Sequence, residues 1–178
     1  MWGGRKGLLR LGFAVVATLA ASSHAMANAM QAETLSSPHD QLVLEVHGAI
    51  SNANRDGAAV FDMTMLKALP LAQLQTTTAV TDGVRQFSGF LMRDLLHLVG
   101  ANGATVTASA LNDYVMDFAA DEFDRFDIVV AYEMDGEALL ASDKGPLWIV
   151  YPRDQHPELQ DIRYDYRWVW QLSRLDIQ

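Results

Sequence analysis

Turn signals cut this sequence into short apolar segments, which leaves room for strands and brief helices only. The breaks fall at residues 48–57, at Thr81-Asp82-Gly83, Gly100 and Asp135-Gly136, at the Asp143-Lys144-Gly145-Pro146 corner, and at Pro152. Between them Leu42, Leu44 and Val46 alternate with Val43, Glu45 and His47, the period of a half-buried strand. Residues 73–80, 105–111 and 128–133 read as further strands, with Asp135-Gly136 as a hairpin turn. Leu147-Trp148-Ile149-Val150-Tyr151 reads as a buried strand ended by Pro152. Short helices are expected over 63–69, capped by Asp62 or Thr64 and stopped by Pro70, and over the acidic stretch 119–126. The clearest helix sets Leu91, Leu95, Leu98 and Val99 on one face and ends at Gly100. The tail, 163–177, alternates through Trp168, Trp170 and Leu172 and predicts a last strand or strand pair. Together these elements predict an α+β or mainly β domain.

The N-terminus has a different character. Arg5, Lys6 and Arg10 precede an uncharged apolar stretch over 11–21, followed by small residues up to Ala29, the layout of a cleavable signal peptide. Cleavage is expected after Ala25, Ala27 or Ala29, and the stretch is shorter than the roughly 20 residues that span a bilayer. The reading is therefore a signal peptide at 1–27, a flexible polar lead at 28–40 and a single domain at 41–178, with the product in the periplasm. About 150 residues then remain, enough for one core. The chain has no cysteine, so that core must hold without disulfides, and thiol chemistry is excluded. A formal net charge of -9 argues against nucleic acid and against direct binding to an anionic membrane.

Motifs for catalysis are missing. The five histidines include no pair at the spacing that puts two metal ligands on one helix face. Asp117, Asp121, Glu122, Asp124 and Asp127 lack the alternation and the glycine of a calcium loop, and read as a solvated face. Phe87-Ser88-Gly89-Phe90 is no nucleophile elbow, and Gly100-Ala101-Asn102-Gly103 is too short for a dinucleotide fingerprint. What stands out is the aromatic C-terminal region, where Trp148, Tyr151, Tyr164, Tyr166, Trp168 and Trp170 are interleaved with Arg153, Arg163 and Arg167. About half of these rings must pack the core; the rest suggest a stacking slot for a flat ring.

Four blocks in order then resemble a known family. They are Phe87-Ser88-Gly89-Phe90-Leu91-Met92-Arg93-Asp94-Leu95-Leu96, Leu111-Asn112-Asp113-Tyr114, Asp143-Lys144-Gly145-Pro146-Leu147-Trp148-Ile149-Val150-Tyr151-Pro152 and Arg167-Trp168-Val169-Trp170-Gln171-Leu172. Over most of the domain the sequence resembles the molybdopterin-binding domain of the sulfite oxidase superfamily. That implies an α+β fold of mixed, mostly antiparallel sheets with a few short helices, and in catalytic members a molybdenum ion held by a cysteine thiolate. The segment expected to supply the ligand, 77–84, has no cysteine and no other soft donor. The lysines and glycine that hold the cofactor phosphate in catalytic members are also missing from Ile162-Arg163-Tyr164-Asp165-Tyr166-Arg167.

These departures are similar to the small exported pterin-binding proteins of the PruR type. That resemblance implies a non-catalytic pterin binder that engages the periplasmic domain of a membrane enzyme making or degrading cyclic di-GMP, a diguanylate cyclase or phosphodiesterase. The alternatives are a molybdopterin-dependent oxidoreductase without the cysteine ligand and an interaction module with a filled pocket. A pterin needs a stacking plane and a carboxylate facing its paired N–H groups. Asp113 is the first choice for the carboxylate, with a turn-forming aspartate as the alternative. Trp148, Tyr114 and Tyr151 are the stacking candidates, and Arg163 and Arg167 the donors to a carbonyl or polar tail. No metal ligand and no catalytic residue is expected.

Overall fold

The computed structural model describes residues 35–178, so the expected signal peptide and the first part of the lead lie outside the described residues. The lead is tied down from Leu35, which packs against the core. Two residues from the domain hold it there: Asn54 Nδ2 donates to Ser36 O at 2.7 Å, and the His39 amide donates to Asp62 Oδ2 at 2.8 Å.

The alternating segment forms β1 (Leu42–Gly48), which pairs antiparallel with β2 (Ala59–Asp62). Asp62 then caps α1 (Met63–Lys67), accepting the Met65 amide at 2.8 Å. Backbone donors from Met65, His39 and Asp40 hold the Asp62 carboxyl below the usual carboxylate range, against the opposing effect of burial. The next strands are β3 (Ala72–Thr76) and β4 (Arg85–Leu91), followed by α2 (Met92–Leu98). Gly100, at φ 60°, ends that helix as its position predicts.

β5 (Thr105–Ala110) and β6 (Val115–Ala119) make a hairpin, followed by α3 (Glu122–Arg125) and β7 (Val129–Met134). β8 (Glu137–Ala138) and β9 (Trp148–Val150) both pair with β7, and after α4 (Ile162–Asp165) the described chain closes with β10 (Leu172–Ile177). One sheet has the order β2-β1-β10-β5-β6, and the other runs β3-β4-β7-β8 with β9 also on β7. Only β1 and β10 are parallel, so the last strand sits in the middle of its sheet. Among the described residues no helix is long and apolar enough to cross a membrane.

Phe61, Phe87, Phe90, Phe118, Phe123 and Phe126 are all buried. Each contributes about 1.5–3 kcal/mol by leaving water, which is how a fold without disulfides is held. Close packing of β4 on β7 needs Gly89, because a Cβ there would stand 2.0 Å from Val130 O.

Three segments depart from the expected pattern. β3 ends at Thr76 instead of reaching residue 80, because Thr77 turns away to bond Asp154 through its amide (2.7 Å) and its hydroxyl (2.6 Å). The acidic helix shrinks to α3, and its first expected residue, Ala119, belongs to β6. The tail is not one alternating strand. Asp161 accepts the Arg163 amide at 2.9 Å and starts α4, and Gln171, at φ 56°, breaks the alternation before β10.

Candidate ligand-binding site

A cleft of about 430 Å³ opens where four chain segments meet. Ala79 and Val80 come from the loop after β3, Asn112 and Tyr114 from the β5–β6 turn, and Ile162, Asp165 and Tyr166 from α4 and its end. Trp168 and Trp170 complete it from the segment leading into β10. Four aromatic rings therefore line this one cavity. Two clefts of about 540 and 570 Å³ are larger, but each has a single phenylalanine, Phe123 or Phe61, in its wall. Flat-ring recognition favours the smaller, aromatic one.

The walls are fixed from behind. Tyr114 Oη donates to Tyr166 O at 2.6 Å, joining the hairpin turn to the end of α4. Trp168 is 4% exposed and packs edge-on against Trp148 and tilted against Tyr151, with ring centroids 6.3 and 6.0 Å away. A bridge between Trp148 and Trp170 ties this segment to β9. On the other side, Thr77 is clamped by Asp154, and Arg153 Nη1 donates to Thr77 Oγ1 at 3.4 Å.

Two buried polar atoms of the cleft residues have no partner. Trp168 Nε1 is buried without an acceptor, and Asp165 Oδ1 is buried without a donor. Arg153 Nε, itself unpaired, stands 4.0 Å from Asp165 Oδ1, beyond hydrogen-bond length. Leaving such groups unmet costs the fold about 1–3 kcal/mol each.

Of the six residues named from sequence, Tyr114 lines the cleft. Asp113 is exposed in the neighbouring turn at φ 64°, a conformation that aspartate and asparagine tolerate, and its position serves the turn. Trp148 and Tyr151 are fully buried behind the wall, where Trp148 also meets Phe87 edge-on. Tyr151 Oη donates to Glu122 Oε1 at 2.8 Å, and Arg167 Nη1 donates to Glu122 Oε2 at 2.7 Å. Burial, then the neighbouring Glu122 charge, push the Tyr151 hydroxyl well above its ordinary pKa. Arg163 is solvent-exposed and paired with Asp161 at 2.8 Å. Aromatic crowding in the tail was the signal for Trp168, Trp170 and Tyr166; sequence reasoning missed Asp165 as a site residue.

The loop expected to carry a metal ligand offers no thiolate. Thr77 and Thr78 offer only hard hydroxyls, and both are engaged: Thr77 with Asp154, Thr78 with Thr81 Oγ1 at 2.8 Å. Among the described residues no group of three or more His, Cys, Asp or Glu side chains converges as a metal site.

No family model matches the sequence, and no curated protein matches it. Among solved structures, the sulfane dehydrogenase SoxCD from Paracoccus pantotrophus is similar to this chain, with a TM-score of 0.56 and 18% sequence identity. The match covers 75% of this chain and 37% of that one, so the chain spans little more than a third of its neighbour. Two mostly antiparallel sheets, few short helices and this structural likeness identify the domain as having an α+β fold of the sulfite oxidase type.

Proposed function

We propose that this protein is an exported, non-catalytic binder of a pterin-class ring, of the PruR type, which reports ligand occupancy to the periplasmic domain of a membrane cyclic di-GMP enzyme. The observation that carries the reading is the cleft itself: four aromatic rings and the one acidic side chain, Asp165, surround a space of about 430 Å³. Its β3–β4 wall presents the apolar Ala79 and Val80, which suits a flat ring. The basic, apolar and small-residue order of the N-terminus supports export.

The partner half of the proposal rests on the resemblance to the PruR type. It is compatible with the apolar mouth of the cleft, where Ile162 is 67% and Tyr166 63% exposed. Exposed apolar surface around a ligand is suited to cover by a second protein.

Protein purified from the periplasm and then denatured tests the ligand. Pterin fluorescence in the released fraction, with no molybdenum in the same sample, is the expected result. Stoichiometric molybdenum would overturn the non-catalytic reading.

A further inference from the structure

Resting on the proposed pterin-class site, we propose that Asp165 makes the cleft select ligands by their hydrogen-bonding edge, accepting a 2-amino-4-oxo ring and rejecting its 2,4-dioxo counterpart. Asp165 is the only charged side chain lining the cleft, so neither a phosphate nor a carboxylate on the ligand meets a cation in its wall. One carboxylate oxygen, Oδ1, is turned inward toward Arg153 Nε at 4.0 Å. The other, Oδ2, has no protein hydrogen bond among the described residues. A carboxylate oxygen only accepts, so the complement of Oδ2 is an N–H donor on the edge of the ligand.

The amino group of a 2-amino-4-oxo ring supplies that donor. A 2,4-dioxo ring puts a carbonyl oxygen where the amino group would stand, and two acceptors then face each other. Arg153 stands behind the carboxylate, with Nε 4.0 Å from Oδ1, and its Nη1 donates to Thr77 Oγ1 at 3.4 Å.

Calorimetric titration of the full domain with pterin (2-amino-4-oxopteridine) and with lumazine (2,4-dioxopteridine) tests the assignment. Wild-type protein should prefer pterin by roughly ten- to hundredfold. Asp165→Asn should narrow that preference to about threefold or less, because a carboxamide can present either a donor or an acceptor. Equal wild-type affinities, or a preference untouched by Asp165→Asn, would overturn the edge assignment while leaving ring binding in place. Wild-type protein that binds neither ring would overturn both this inference and the reading on which it rests.

Discussion

One stretch of chain builds two neighbourhoods of similar chemistry with opposite outcomes. Behind the wall, Tyr151 and Arg167 both donate to Glu122, so every charged or hydroxyl group in that set has a protein partner. In the cleft, Asp165 Oδ1 and Trp168 Nε1 are buried and unmet. The first arrangement stabilises the fold and leaves nothing for a ligand. The second weakens the fold slightly, and it borders an open cleft where a flat ring can lie. Residue type therefore does not separate structure from function here; position against the cleft does.

The contrast can be broken most forcefully from the structural side. Glu122→Ala strips the acceptor from both Tyr151 and Arg167 and should cost about 2–4 kcal/mol in chemical denaturation, with little change in ligand affinity. A loss below about 0.5 kcal/mol would mean the set is not a structural unit. On the ligand side the expectation inverts. Tyr166→Ala removes an exposed ring from the cleft mouth and should weaken pterin binding roughly tenfold with almost no change in melting temperature.

A pH experiment sharpens the same division. Burial raises the folded pKa of Tyr151 above its ordinary 10.0, so its contribution is present below pH 10.0 and declines as pH rises beyond that value. Thermal melts across this alkaline window should fall less steeply in Tyr151→Phe than in wild type. The smallest effect is expected at Asp113. Asparagine accepts φ 64°, so Asp113→Asn should move stability by less than about 0.5 kcal/mol and leave ligand affinity unchanged.

Much of the fold was legible because its signals are local. β1, β5 and β7 announce themselves through alternation or a dense apolar run, and Asp62 and Gly100 mark helix ends through cap chemistry. β2 was not legible: all four of its residues are buried, so it shows no alternation, and it is too short to stand out as a run. The tail holds the expected last strand, β10, but its first part is helical because Asp161 offers a local cap that competes with extended structure.

The site was half legible. Crowded aromatics pointed to the right segment, but which ring faces the cleft depends on the Trp148–Trp170 bridge, a pairing between distant residues. Asp165 and Arg153 meet only after α4 folds back, and nothing in the spacing of either residue signals that contact. Asp113 drew attention because it occupies a turn, which is also the reason it is exposed.

The central claim is that the aromatic cleft, and not the buried tyrosine and arginine set, receives a flat ring. Titration of pterin into wild type and Trp170→Leu tests it most directly, since this change keeps an apolar side chain while removing the ring. The account predicts one-to-one binding by wild type and a loss of roughly tenfold or more in the variant, with the fold intact by circular dichroism. Undiminished affinity in a folded Trp170→Leu protein would contradict it.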